Sequence, residues 1–229
     1  MTSENTQNNL SSCRPFEQRT FSSLIQFPGK PTAQGTFLNL KTRQYIMSNS
    51  LKEELLFYSI DSKWVLHRQL NQTEFWPRRL CVQPHTDNLL ICDDYKRSIR
   101  VMTDTNNTSV VLIKTPSIEY QSTVCCDEKG NIALSTTEKV ILFDAAGRLK
   151  YNVTDSFISL KNICLLPSQF YSTSSLFLVI DGEDKKLSMI DQNGLIHHHI
   201  DLNFGRIWNG YPLYLCVDLN GMVYIGNTR

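Results

Sequence analysis

The chain has 229 residues, 41% of them hydrophobic, and a formal net charge of +1. That is the size and apolar content of one globular domain, and near-neutrality excludes a global electrostatic pull toward nucleic acid or a membrane surface. No apolar run approaches the ~18 residues of a spanning helix, and the start, MTSENTQNNLSS, has neither the basic nor the apolar region of a secretory signal.

A cytoplasmic protein is therefore expected, with no membrane partner and with its seven cysteines reduced. The sequons at Asn71, Asn106, Asn107 and Asn152 would then carry no sugar.

In chain order, residues 1–20 are polar and poor in apolar side chains, too poor to offset chain entropy, so a disordered segment is expected there. Residues 21–27, FSSLIQF, could form a strand that Pro28 and Pro31 end. From there the chain repeats. A short continuous apolar run recurs, too short for a helix. It closes at Ser48, Asp93, Thr136, Asp181 and Asn227, at spacings of 45, 43, 45 and 46 residues. A preceding run carries Phe37, Cys81, Cys125, Cys164 and Cys216. The longest gap between the two, in the fourth copy, holds the extra stretch Ser168–Ser175, expected as a loop insertion.

Following runs, such as Ile99-Arg100-Val101 and Leu187-Ser188-Met189, alternate as half-buried strands do. Turn signals such as Glu128-Lys129-Gly130-Asn131 and Gln192-Asn193-Gly194 separate the runs.

Four short strands per repeat, in tandem, predict an all-β fold: a β-propeller of four-stranded blades spanning residues 21–229. The inner strands should be apolar throughout and the outer ones alternate. About five units are visible, the last ending after its second strand. The chain is expected to be a truncated piece of a six-bladed array, with closure by residues 21–27 as the alternative.

These repeats resemble NHL repeats. Cys216-Val217-Asp218 with Asn220-Gly221 fits the first half of that pattern; Asn88 to Asp93 with Lys96, Arg97 and Ile99, and Asp181 with Lys185, Lys186 and Leu187, fit the second. The likeness covers residues 37–229 and departs at Ser48, Thr136, Gln83 and Leu166. It implies a recognition module binding a protein partner, as in the substrate-recognition part of tripartite-motif ubiquitin ligases. It also implies the alternative of single-stranded RNA binding. A lactonase-like calcium-dependent hydrolase is the outside alternative, with Asp127, Asp218, Glu128 or Asn220 as its acidic set; Gln83, Leu166 and Asn39 at the equivalent places make a poor cage. On that ground the chain is expected not to be an enzyme, and no cofactor is expected.

The binding candidates are basic residues that recur at turns: Arg78, Arg79, Lys96, Arg97, Arg100, Lys185, Lys186 and Arg229. Trp76, Tyr95 and Trp208 could stack against bases or pack between blades. Acids in the same turns, Glu53, Glu54, Glu138, Glu183 and Asp184, dilute that charge. No metal site is expected. His197 and His199 share one face of a strand at most, a solvated outer strand explains the His triplet, and no C-x2-C pair occurs. The cysteines of the repeats are expected as small apolar core residues.

Overall fold

The computed structural model describes residues 35–39, 43–59, 65–71, 74–84, 86–103, 109–119, 121–155, 157–170, 175–202, 212–218 and 220–227. The 1–20 segment, residues 21–27, Trp208 and Arg229 lie outside these.

Strands β1 (Gly35–Asn39), β2 (Gln44–Asn49), β3 (Glu54–Ser59) and β4 (Val65–Asn71) form one four-stranded antiparallel sheet. The second is β5 (Pro77–Val82), β6 (Leu89–Asp93), β7 (Ser98–Met102) and β8 (Val110–Lys114). The third is β9 (Thr123–Cys126), β10 (Ile132–Ser135), β11 (Val140–Phe143) and β12 (Leu149–Val153). The fourth is β13 (Leu160–Leu166), β14 (Leu176–Asp181), β15 (Lys186–Asp191) and β16 (Ile196–Asp201). A fifth sheet is the pair β17 (Pro212–Val217) and β18 (Val223–Asn227). Each is a simple meander, and the first strands of successive sheets lie side by side: β5 beside β1 and β9, β13 beside β9 and β17. This is a β-propeller of four-stranded blades.

The period-2 pattern explains the stacking. Leu89 and Ile91 of β6 point into a core shared with Ile46, Leu55 and Phe57 of blade 1. Leu90 and Cys92 of the same strand point into a core shared with Val124, Ile132 and Leu134 of blade 3. In blade 4, Phe177 and Val179 face blade 3 while Leu176, Leu178 and Ile180 face blade 5. Each middle strand is thus apolar on both faces and needs a blade on either side, at about 1.5–3 kcal/mol per buried large side chain. The expected burial order is corrected accordingly. The middle strands β6, β10, β11 and β14 are wholly buried. Of the first strands, β5 and β13 are half-buried while β9 is wholly buried, and the outer β8, β12 and β16 are mostly exposed rather than alternating.

The hairpin register also moves one repeat anchor by one residue. Asn49, Asp93, Ser135 and Asp181 are the residues that pair five positions on, with Glu54, Ser98, Val140 and Lys186. Asn49 lies, like Asp93 and Asp181, on the face turned away from the next blade and is the mate of Asp93 in place of Ser48, whereas Ser135 shares the face of Ala133 toward blade 4, so Thr136 keeps its place.

Four turns share one construction. In Asp127–Asn131, Asp144–Arg148, Asp191–Leu195 and Asp218–Met222, the Asp Oδ1 accepts the amides two and four residues on. The fourth residue is Gly at φ near 80° in each, donating back to the Asp carbonyl. At Gly147 (φ 81°) a Cβ would also lie 2.9 Å from Ile113 Cγ1. Gly147→Ala should destabilise the fold by about 1–3 kcal/mol. Urea unfolding measures this, and an unchanged midpoint would refute the turn's account.

Candidate functional site

Because strands alternate, the turns sort to two ends. The strand 2–3 turns and the segments entering each blade lie together. Ser48 Oγ donates to the Arg78 carbonyl, and the Leu160 amide to the Thr137 carbonyl, so successive blades agree on which end this is. We call it the entry end. The four Asp-x-x-Gly turns occupy the other.

At that other end stand the residues of the expected acidic set. The Asp127 carboxylate takes two backbone amides and the Asn131 side-chain amide. Asp218 takes the Asn220 and Met222 amides and the Tyr224 hydroxyl; the Met222 amide leads in holding its carboxyl below the ordinary value. Glu128 binds the backbone amide and hydroxyl of Ser168, tying the 168–170 turn of the expected insertion to blade 3. These carboxylates hold turns, and among the described residues no three His, Cys, Asp or Glu side chains converge as a metal site would require.

At the entry end, one buried carboxylate organises each of blades 2 and 4. Asp93 Oδ1 accepts the amides of Trp76, Tyr95 and Lys96. Asp181 accepts those of Ile158, Ser159, Glu183 and Asp184. Each joins the segment entering its blade to the strand 2–3 turn, which then closes on a left-handed residue, Arg97 (φ 46°) or Lys185 (φ 52°).

The described basic candidates all fall at this end, but most are committed to local acids. Arg78 pairs with Asp94, Lys96 with Glu74, and Lys186 with Asp184 at 2.5 Å. Arg100 donates to the Ser109 hydroxyl and carbonyl at 2.7 and 2.8 Å, lies 3.7 Å from Asp93 Oδ2, and stacks over Phe75. It is a structural arginine. Arg79 is half-buried, and burial lowers its guanidinium pKa. Arg97 is exposed and Lys185 half-exposed. Of the acids named as dilution in the sequence, Asp184 acts as such a partner; the others are Asp93, Asp94 and Glu74, and much of the positive charge that phosphates need is met locally among the described residues.

Of the two roles that the sequence left open for the aromatics beside these charges, packing between blades is not the one taken by the two described. Trp76 and Tyr95 are not packed between blades: they are 41% and 47% exposed, with ring centroids 5.4 Å apart. Lys96 Nζ sits 5.0 Å from the Tyr95 ring. Leu51 and Ile158 are exposed at the same end. The signal was present in the sequence, since each of the two aromatics flanks a residue of the Asp93 turn or its entry segment.

Blade 4 carries a cavity of about 180 Å³ at this end, lined by Asp155, Phe157, Asp181, Asp184, Lys186, Ser188 and His199. Ser188 Oγ lies 2.9 Å from His199 Nδ1, and His199 Nε2 lies 3.3 Å from Asp155. His197 contacts Asp191 at 3.2 Å, and all three His residues of β16 are exposed.

The cysteines divide. Cys126 faces the core between blades 2 and 3, and Cys125 the core between blades 3 and 4. Cys92 is buried, which pushes its thiol pKa up; Cys81 and Cys164 are half-buried. Cys216 is exposed, contrary to its expected core place. All six described cysteines are free thiols. No described helix is long and apolar enough to cross a membrane.

No family model matches the chain, and no curated protein matches it in sequence. Solved structures do match. A streptogramin B lyase superposes with a TM-score of 0.67 at 8% identity, covering 85% of this chain and 62% of its own. An auxiliary nutrient-binding protein from Bacteroides ovatus gives 0.68 at 10% identity, covering 85% and 56%. A calcium-binding protein, regucalcin, from Agrobacterium tumefaciens gives 0.62 at 13% identity, covering 85% and 67%. The chain thus spans under two thirds of the first two. At these identities the likeness shows the fold. It also corrects the expectation that the chain is not an enzyme. A poor calcium cage was its ground, yet the architecture is shared with a lyase, so the lack of one cage does not remove catalysis from what this fold hosts.

Burial also shifts an acid at the entry end. Burial pushes the Asp94 carboxyl up to about 6, with Arg78 opposing. The folded state then binds this proton more tightly than the unfolded chain, whose aspartates titrate near ~3.9. Asp94 contributes most below that pH, and its contribution is lost as pH rises through about 6. Thermal unfolding of wild type against Asp94→Asn should show wild type gaining on the variant as pH falls from about 6 to about 4. Parallel curves would refute the shift.

Proposed function

We propose that the chain is a recognition propeller that binds a protein partner at its entry end, with Trp76 and Tyr95 as the anchor. The observation that carries this reading is the exposed, mutually packed ring pair fixed by the Asp93 turn. Large aromatic surfaces held in place before binding lose little entropy on association and are enriched among residues that dominate interface energy. The flanking Lys96–Glu74 pair supplies a polar rim of both signs, which suits a protein surface better than a polyanion. Resemblance of the repeats to NHL propellers supports substrate recognition, as in tripartite-motif ubiquitin ligases, as the setting. Single-stranded RNA is the weaker reading, because Arg78, Lys96, Arg100 and Lys186 already face carboxylates.

The test uses the immobilised chain to capture partners from extract, with quantitative mass spectrometry. Trp76→Ala and Tyr95→Ala should each lower recovery of a specific partner roughly tenfold or more, the scale of a hot-spot truncation. Met222→Ala, at the opposite end, should leave recovery intact. Equal recovery by all three variants would overturn the assignment, as would a partner displaced in proportion to added single-stranded RNA.

A further inference from the structure

We infer that the cavity at the entry end of blade 4 is a slot for a planar guanidinium cation, left open because Ser188 stands where blade 2 places Arg100. Strand register establishes the equivalence. Asp93 pairs with Ser98, and Arg100 lies two residues further along β7. Asp181 pairs with Lys186, and Ser188 lies two residues further along β15. Both turns are built on a buried Asp accepting the amides two and three residues on, and both close on a left-handed basic residue.

Blade 1 holds a large buried side chain at the same position, Leu56 after the Asn49–Glu54 pair, and in blade 3 the buried Ile141 fills the strand face turned to the preceding blade. Blade 4 puts a small residue there, and a cavity opens beside its anchoring carboxylate.

Blade 2 shows what that space accepts. The Arg100 guanidinium sits 5.7 Å from the Phe75 ring, 3.7 Å from Asp93 Oδ2, and donates to both oxygens of Ser109. Blade 4 offers the same chemistry around a void. Asp181 stands for Asp93. Phe157, two residues ahead of the Ser159 amide that Asp181 binds, brings a ring to the wall as Phe75 does one residue ahead of Trp76. Asp155 and Asp184 add two further carboxylates, against Lys186 as the fixed cation. An apolar occupant would leave these charges desolvated, which is costly. A flat cation with donors in its plane can meet carboxylates at its edge and stack on Phe157 with its face. At 180 Å³ the space is that of a side chain rather than of a drug-sized ligand.

The guanidinium could belong to an arginine of a protein partner or to a small guanidino compound. The slot stands independently of the Trp76–Tyr95 surface, so either can fail alone. The test is isothermal titration of the whole chain with acetyl-Gly-Arg-Gly-amide, acetyl-Gly-Lys-Gly-amide and methylguanidinium. The arginine peptide should bind saturably and roughly tenfold tighter than the lysine peptide, since an ammonium cannot bond in a plane and stack at once. Ser188→Arg should fill the slot from within, weaken the peptide roughly tenfold or more, and raise the unfolding temperature. Asp155→Asn, on a surface segment, should weaken it about threefold or more and decides the matter if the first variant does not fold. Methylguanidinium binding as well as the peptide assigns the slot to small guanidino compounds; a clear peptide advantage assigns it to a protein arginine. Equal affinity for the arginine and lysine peptides, no saturation by about 10 mM, or unchanged binding in both variants would overturn the proposal.

Discussion

The entry end depends on one kind of contact: a buried carboxylate shared among backbone amides of two chain segments. Asp93 binds the segment entering blade 2 and the turn leaving β6 with a single oxygen. Asp181 does the same in blade 4 with both oxygens. Each such charge-assisted bond is stronger than a neutral one, and together they satisfy amides that would otherwise be orphaned in a buried place. Everything of interest at this end is positioned by them: Trp76 and Tyr95 on either side of Asp93, Arg100 against its free oxygen, and the cavity beside Asp181.

Much of the architecture was legible in the sequence because a middle strand apolar on both faces can only be a sandwiched strand. Leu89 to Cys92 and Leu176 to Ile180 announce themselves in that way. The period followed from them. What was not legible is register. A run such as Tyr45-Ile46-Met47-Ser48-Asn49 does not say which residue closes the ladder, and the true mate, Asn49, is fixed by its partner Glu54 across the hairpin. A one-residue error there hides the equivalence of Ser188 and Arg100 with Leu56.

The site was less legible than the fold for a related reason. Recurrence of Lys and Arg at turns correctly located an end of the propeller, but charge in a sequence is counted without its partner. Glu74 is remote in sequence from Lys96, and Asp93 must be buried before it can claim Arg100. Nor could exposure of Trp76 be read from composition, since an aromatic at a blade's entry fits a core equally well. Burial of its neighbour Phe75, 1% exposed, decides which of the two rings turns inward.

The shared cores have a consequence for how the chain is assembled. A blade leaving the ribosome can complete its own hairpins at once, because every ladder among the described residues joins strands adjacent in sequence. Its trailing face, however, stays wet until the next blade arrives. Order therefore propagates as a zipper from one sheet to the next, with contacts that are local along the chain. A lesion in β10 would weaken its own blade and the two that flank it, through Leu134 on one side and Ala133 on the other, and leave the core between β3 and β6 standing. Damage in such an array is counted in neighbours rather than in ångströms.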